Sequence, residues 1–259
     1  MAENEVSDKR FPDGMDPLGH GSFRFACHPG LPCFRTCCRQ LDMYLYPYDI
    51  IRLKKRLQVS SDEFLRQHTR LGRAGNPYFP AVMMRMLDNK EQTCPFLADD
   101  GCSVYEDRPT ACRTYPLERA VDRTPAGGRP EEYFFVTNHS YCLGHQEDRE
   151  WTLKEWLRDQ KLLDYNGMND LWAEVDTLFA GNPWQGEGVA GPKQQMAFMV
   201  CYNVDGFRSF VRELELLRRF RLDKTRRRLI GTSDEALLKF GFDWLKYILA
   251  NMPTLIPKQ

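Results

Sequence analysis

Apolar residues recur at three- and four-residue spacing through "NDLWAEVDTLF", "KQQMAFMVCYNV", "DGFRSFVRELELL" and "SDEALLKFGFDWLKYIL", which predicts successive amphipathic helices. "TLKEWLRDQKLL" places Thr152 and Glu155 at capping-box spacing ahead of Trp156, Leu157 and Leu162. The Trp, Phe and Leu stripes of these segments read as core, and Cys201, inside one of them, reads as a buried small hydrophobe. The first half of the chain is patterned in shorter pieces. "YPYDIIRLKKRLQ" sets a proline in a first turn and apolar residues at Ile50, Leu53 and Leu57, predicting a helix from near Tyr46. Ser60 and Glu63 predict a second, short one. Beyond the turn-rich "GRAGNPYFP" come β-leaning pieces, "AVMMRML", "CSVYE", "YPLERAV" and "EEYFFVT". The last two flank "DRTPAGGRP" and predict a long-looped hairpin. The expected class is α+β, with short strands and helices first and an α-helical C-terminal region after them.

Composition narrows the function. The 259 residues are 42% hydrophobic, enough for one good core or two modest ones. Basic and acidic residues balance at 36 each, so no global field draws the chain to nucleic acid or to a membrane. The basic run "RRFRLDKTRRR", Arg218 to Arg228, reads as a solvated helix end and loop, since it lacks an aromatic platform beyond Phe220. No apolar run of roughly eighteen residues is present, which argues against a membrane span. The opening "MAENEVSDKRFPDGMDPLGHGS" is polar and turn-rich, a flexible lead-in and no signal peptide. A cytoplasmic location is therefore expected, where clustered thiols bind metal or do redox work more often than they form disulfides.

The thiols are unevenly spread. Eight of the nine cysteines lie within the first 142 residues. The expected organisation is a flexible segment over 1–22, a small cysteine-rich metal-binding domain over 23–148 and a helical region over 149–259. "FACHPGLPCFRTCCRQ" supplies Cys27, Cys33, Cys37 and Cys38, while Cys94, Cys102, Cys112 and Cys142 form a looser group. Four thiolates close a zinc site or hold one iron–sulfur cluster, so eight could supply two sites, or one with spare thiols. Adjacent Cys37 and Cys38 would diverge in a strand or a helix and share one metal only across a sharp turn. In "CPFLADDGCSVYEDRPTACRTYP", Asp99, Asp100 and Gly101 turn the chain so that Cys102 returns toward Cys94. Arg108 and Arg113 flank Cys112, where they either favour thiolate or pair with Glu106, Asp107 or Glu118. Pro109 and Pro116 suggest a ligand loop rather than a helix. A cysteine nucleophile would need a base, and the five histidines offer only Cys142 with His145 at C-x2-H spacing, a pattern shared by ordinary surface loops. No acid–base pair stands out, so a metal-binding module is favoured over a hydrolase or transferase.

The pattern F-x-C…C…CC, then C-P-F-L…G-C-S-V-Y-E-x-R-P-x-x-C-R-x-Y-P and a later cysteine, resembles the YkgJ-type cysteine-cluster family, described as zinc- or iron-chelating. The resemblance runs from Phe25 to Cys142. That family usually opens C-x2-C-x2-C-C; here "HPGLP" and "FRT" widen the spacing around Cys33. The same domain occurs in flagellin lysine methylases, which implies an iron–sulfur centre as one occupant. No glycine-rich nucleotide loop is present, so methyl transfer is not carried over. The metal ligands expected are Cys27, Cys33, Cys37, Cys38, Cys94, Cys102, Cys112 and Cys142. Tight C-x2-C knuckles are missing, so an iron–sulfur cluster (4Fe-4S) is preferred to zinc. The expected role is accessory or redox, with a zinc-binding structural module, or an enzyme that uses the centre to modify a protein partner, as alternatives. A protein is the partner considered; nucleic acid and membrane are not.

Overall fold

The computed structural model describes residues 11, 16–123, 130–188 and 190–258. Most of the lead-in expected at 1–22, and residues 124–129 of the hairpin loop, lie outside the described residues.

In chain order the elements are β1 (Ser22–Arg24), α1 (Pro47–Leu57), α2 (Ser61–His68), β2 (Thr69–Gly72), β3 (Ala81–Met84), β4 (Leu97–Ala98), β5 (Gly101–Cys102) and α3 (Thr110–Thr114). There follow β6 (Leu117–Asp122), β7 (Glu131–Val136), β8 (Glu150–Thr152), α4 (Leu153–Asp159) and α5 (Leu162–Ala180). The chain ends with α6 (Pro192–Tyr202), α7 (Val204–Glu213), α8 (Lys224–Thr232) and α9 (Asp234–Ala250). The strands form antiparallel pairs, β1 with β8, β2 with β3, β4 with β5 and β6 with β7. The class is α+β. No described helix is long and apolar enough to cross a membrane.

By contact the chain divides into two compact units, each assembled from two separated segments: residues 1–34 with 114–160, and residues 35–113 with 161–259. The first unit is aromatic at its centre. Phe23 on β1 pairs with Trp151 on β8. Trp156 on α4 meets Phe23, Phe25 and Trp151 edge-on, with ring centroids 5.7, 5.7 and 5.1 Å away. The Trp151 indole donates to the Phe25 carbonyl at 2.8 Å, which satisfies its buried polar edge. The predicted hairpin is present as β6 and β7, registered from Leu117↔Val136 to Asp122↔Glu131. Thr152 and Glu155 form the expected reciprocal cap on α4.

The second unit holds the larger core, to which α1, α2 and β3 contribute with α5, α6, α7 and α9. Phe79 packs on Phe179 at 4.4 Å and near Trp184 and Tyr202. Cys201 is 2% exposed, in the apolar stripe where the periodicity put it. Burial holds its thiol well above the usual range. Polar ties join the helices: the Lys54 ammonium on α1 bridges Asp205 on α7 at 3.0 Å and Asp234 on α9 at 2.9 Å. Asp205 also accepts from the Ser61 amide at 2.7 Å, at the first residue of α2.

Helix α1 begins where expected. Tyr46 is extended, Pro47 takes the first turn, and Asp49 reaches back to accept from the Tyr46 amide at 2.9 Å. Asp49 is 0% exposed, and burial lifts its carboxyl to about 6. Two expectations need correction. The segment between Pro109 and Pro116 contains helix α3 rather than a ligand loop, because the Pro109 carbonyl accepts from the Arg113 amide at 3.0 Å. "CSVYE" is strand only at Cys102, and Tyr105–Asp107 closes into a 3-10 turn. The basic run is solvated, as expected: a 3-10 turn ends at Arg219, a loop follows, and Asp223 starts α8 by accepting from the Arg226 amide at 2.8 Å.

A carboxyl raised from 3.8 to about 6 on folding binds its proton more tightly in the native state. It therefore costs stability above pH 6, and that cost fades as pH falls toward 4. Comparing urea unfolding of the native chain and Asp49→Asn at pH 7 and 4.5, the native chain should gain on the variant by about 2 kcal/mol on acidification. A difference that does not change with pH would contradict this.

Candidate metal centre

In the second unit the thiols are gathered by three backbone devices. The first is a reversal at Cys37 and Cys38. Arg35 enters it with φ of 70°, Thr36–Cys38 form a single 3-10 turn, and Arg39 leaves extended. The turn brings the two adjacent thiols into hydrogen-bond contact instead of letting them diverge. The second device is a backbone tie, since the Cys94 amide donates to the Cys38 carbonyl at 2.8 Å. An isolated bridge pairs Arg39 with Thr93 beside it. The third is the tight hairpin of β4 and β5, where Leu97 faces Cys102 and Ala98 faces Gly101. Gly101 sits at φ of 139°, which a side chain would strain. The Arg35 guanidinium holds the tip by donating to the carbonyls of Ala98, at 3.0 Å, and Asp99.

Backbone amides point at the sulfurs. The Leu97 amide donates to the Cys94 carbonyl at 3.1 Å, and the backbone amides of Phe96 and Leu97 favour the Cys94 thiolate as that of Val104 favours the Cys102 thiolate. Such donors favour the thiolate. Opposing them, burial and the neighbouring thiols push up Cys94, Cys102 and Cys112. The Arg108 guanidinium pulls back on Cys102 and Cys112, so the first of the two roles weighed for this arginine is present. Arg108 and Arg113 also donate to the carbonyls of Tyr105 at 2.6 Å and Glu106 at 2.7 Å, fixing the loop between the two cysteines. The Cys37 and Cys38 thiols split: the hydrogen bond from Cys38 lowers Cys37 to about 7 and raises Cys38. Cys37 reaches solvent; the Cys112 residue is exposed although its thiol is buried, and Cys38, Cys94 and Cys102 are half-buried.

The first unit carries Cys27, Cys33 and Cys142 on two facing loops. The Ala26 amide donates to the Gly144 carbonyl at 3.0 Å, and the Leu143 amide to the Cys33 sulfur at 3.2 Å. A Cβ at Gly144 would come within 2.6 Å of the Ala26 carbonyl oxygen, so glycine is required for this approach. Cys142 hydrogen-bonds the Tyr115 hydroxyl, whose other neighbour is the His145 Nε2 at 3.3 Å. Burial and this thiol push the Tyr115 hydroxyl up, and burial pushes His145 down. The C-x2-H pair thus engages a tyrosine between its members. His28 pairs with Glu147 at 3.1 Å.

The eight cysteines singled out in the sequence therefore fall into a group of five, Cys37, Cys38, Cys94, Cys102 and Cys112, and a group of three, Cys27, Cys33 and Cys142. Among the described residues no three Cys, His, Asp or Glu side chains already stand as a closed metal cage. The donor set of the larger group, soft sulfurs met by inward amides and an arginine, has the chemistry of a zinc or iron site. Residues 26–143 match CxxCxxCC, described as a "putative zinc- or iron-chelating domain". This segment is similar to that family. The CxxCxxCC match covers a little under half of the chain and leaves α5 to α9 outside it. No curated protein and no solved structure matches the chain.

Sequence reasoning missed the amide donors and Tyr115. "CPFL" carried a signal for the first, a cysteine followed by a proline that forces the turn aiming later amides back at sulfur. Tyr115 stood in the quoted motif, but its partner Cys142 is 27 residues away and unmarked.

The thiols should differ in reactivity. Cys37, accessible and lowered to about 7, should be the first of the second unit's cysteines alkylated by iodoacetamide at pH 7.5. Cys201 should react only after unfolding. Peptide mass spectrometry over a time course reads the order, and early labelling of Cys201 would contradict the placement.

Proposed function

We propose that this chain is a metal-centre protein whose cysteines hold an iron–sulfur cluster, serving an accessory or redox role toward a protein partner. One observation carries the reading: backbone amides aimed at Cys94 and Cys102 within a group of five mutually interacting thiols. Cys37, Cys38, Cys94, Cys102 and Cys112 would hold the centre, and Cys27, Cys33 and Cys142 form a second set of candidate ligands in the other unit. Bound there, the cluster would supply one-electron chemistry or a store of iron.

The chain's own residues prepare that role. The amides of Phe96, Leu97 and Val104 and the charge of Arg108 compensate negative sulfur. Five thiols exceed the four positions of a tetrahedral zinc ion, a donor count that suits a multi-iron group. The exposed Cys37 gives a partner access to the sulfur edge. Zinc remains the second reading, favoured by the amide-to-sulfur turn at Cys94.

Anaerobically purified protein should absorb broadly near 400 nm (roughly) and contain iron with acid-labile sulfide. Colourless protein with stoichiometric zinc would replace the cluster by the zinc reading. Serine at Cys38, Cys94, Cys102 or Cys112 should sharply lower metal content, and serine at Cys201 should leave it unchanged. Loss of metal from Cys201→Ser with retention in Cys94→Ser and Cys112→Ser would move the site out of these loops.

A further inference from the structure

Helix α3 is five residues long and carries Cys112 at its third position. So short a helix has little stability of its own. Its first residue is held from outside by Asp49 of α1, whose Oδ1 accepts from the Thr110 amide at 2.9 Å and from the Thr110 hydroxyl at 2.7 Å. The same hydroxyl receives the Asn169 side-chain amide of α5 at 3.2 Å. The other Asp49 oxygen is taken by the Tyr46 amide. Within reach of the same cluster, Arg52 of α1 donates to Asp107 at 2.9 Å, just ahead of α3.

A carboxylate at 0% exposure is a costly way to begin a helix. Capping α1 needs one acceptor, and a serine or threonine at the preceding position supplies that at the surface in many helices. Two of the three Asp49 bonds go instead to Thr110, two residues before Cys112. Hydrogen bonds of this kind, one step behind a ligand, fix where a sulfur stands. Asn169 belongs to α5, outside the CxxCxxCC segment, so the helical region takes part in the same anchorage.

We propose that Asp49 is the positioning residue of the thiol centre, acting through Thr110 to hold Cys112 at the place where it meets the other four thiols of its unit. This rests on the metal-centre reading above.

The test uses the full chain and cobalt(II) as the probe, read by chelator competition and by the thiolate-to-cobalt charge-transfer band. Asp49→Ala should weaken cobalt binding on the order of ten- to hundredfold and reduce the band to that of Cys112→Ser. Asp49→Asn, which keeps an oxygen facing Thr110, should bind within about threefold of the native chain, a smaller loss than outer-shell removal gives. In a Cys112→Ser background, Asp49→Ala should add nothing. Should Asp49→Ala fail to fold by circular dichroism, Thr110→Val cuts one of the same bonds from the other side and should cause a severalfold loss. Native affinity and an unchanged band in Asp49→Ala, or an undiminished loss when Cys112 is already serine, would overturn the positioning role. A native chain that binds no cobalt, zinc or iron would overturn the metal-centre reading itself, a distinct result.

Discussion

Gathered thiols resist becoming thiolates, because each negative sulfur raises the proton affinity of the next. Burial first, and this repulsion after it, holds Cys94, Cys102 and Cys112 above the usual thiol range. Everything around the second unit's cysteines can be read as an answer to that repulsion. Amides at Phe96, Leu97 and Val104 offer partial positive charge, Arg108 offers a full one, and the Thr36–Cys38 turn lets one sulfur donate to its neighbour. None of these is strong alone. Their effect depends on a backbone that keeps them aimed, and this backbone is made of two-residue strands, 3-10 turns and one short helix. The rigidity must come from elsewhere, and it comes from α1 and α5 through buried polar contacts.

Much of this was legible in the residues, and the divide follows range. Helices announced themselves through local signals: Pro47 after Tyr46, Ser60 before Glu63, Thr152 before Glu155, and each lies where its helix begins. The hairpin of β6 and β7 followed from alternation and a glycine–proline loop. The class and the cysteine family were equally visible. What stayed hidden depends on partners far away in the chain. Helix α3 looked like a loop because two prolines bracket it, and its stabilising acceptor, Asp49, lies 61 residues earlier. Strands β1 and β8 are three residues each and exist through a long-range pairing, from Ser22↔Thr152 to Arg24↔Glu150. For the site, spacing named the candidate sulfurs. It could not say that Cys33 would receive the Leu143 amide or that the Cys94 amide would face the Cys38 carbonyl. Those bonds are set by tertiary folding, to which local pattern is blind.

A change in composition near residue 148 marks where the cysteine-rich part of the chain ends. Compactness follows a different rule, because each unit is stitched from an early and a late segment. The helical region is thus no mere appendix to the thiols. Its α5 to α9 complete the core against which Cys94 and Cys102 pack, and Trp172, Phe179 and Phe242 fill it.

That interleaving has a consequence for the order of synthesis. The segment bearing Cys37 to Cys112 leaves the ribosome well before the helices that close its core, since residues 161–259 are made after it. At an elongation rate on the order of ten residues per second, the nascent thiols spend roughly ten seconds without that cover. During this interval their sulfurs are open to oxidants and to any metal donor. Iron or zinc delivered then would meet a pliant loop, whereas delivery after release would meet one already locked by its helices. The chain's own topology thereby opens a window, co-translational and brief, in which its cysteines are easiest to load and easiest to damage.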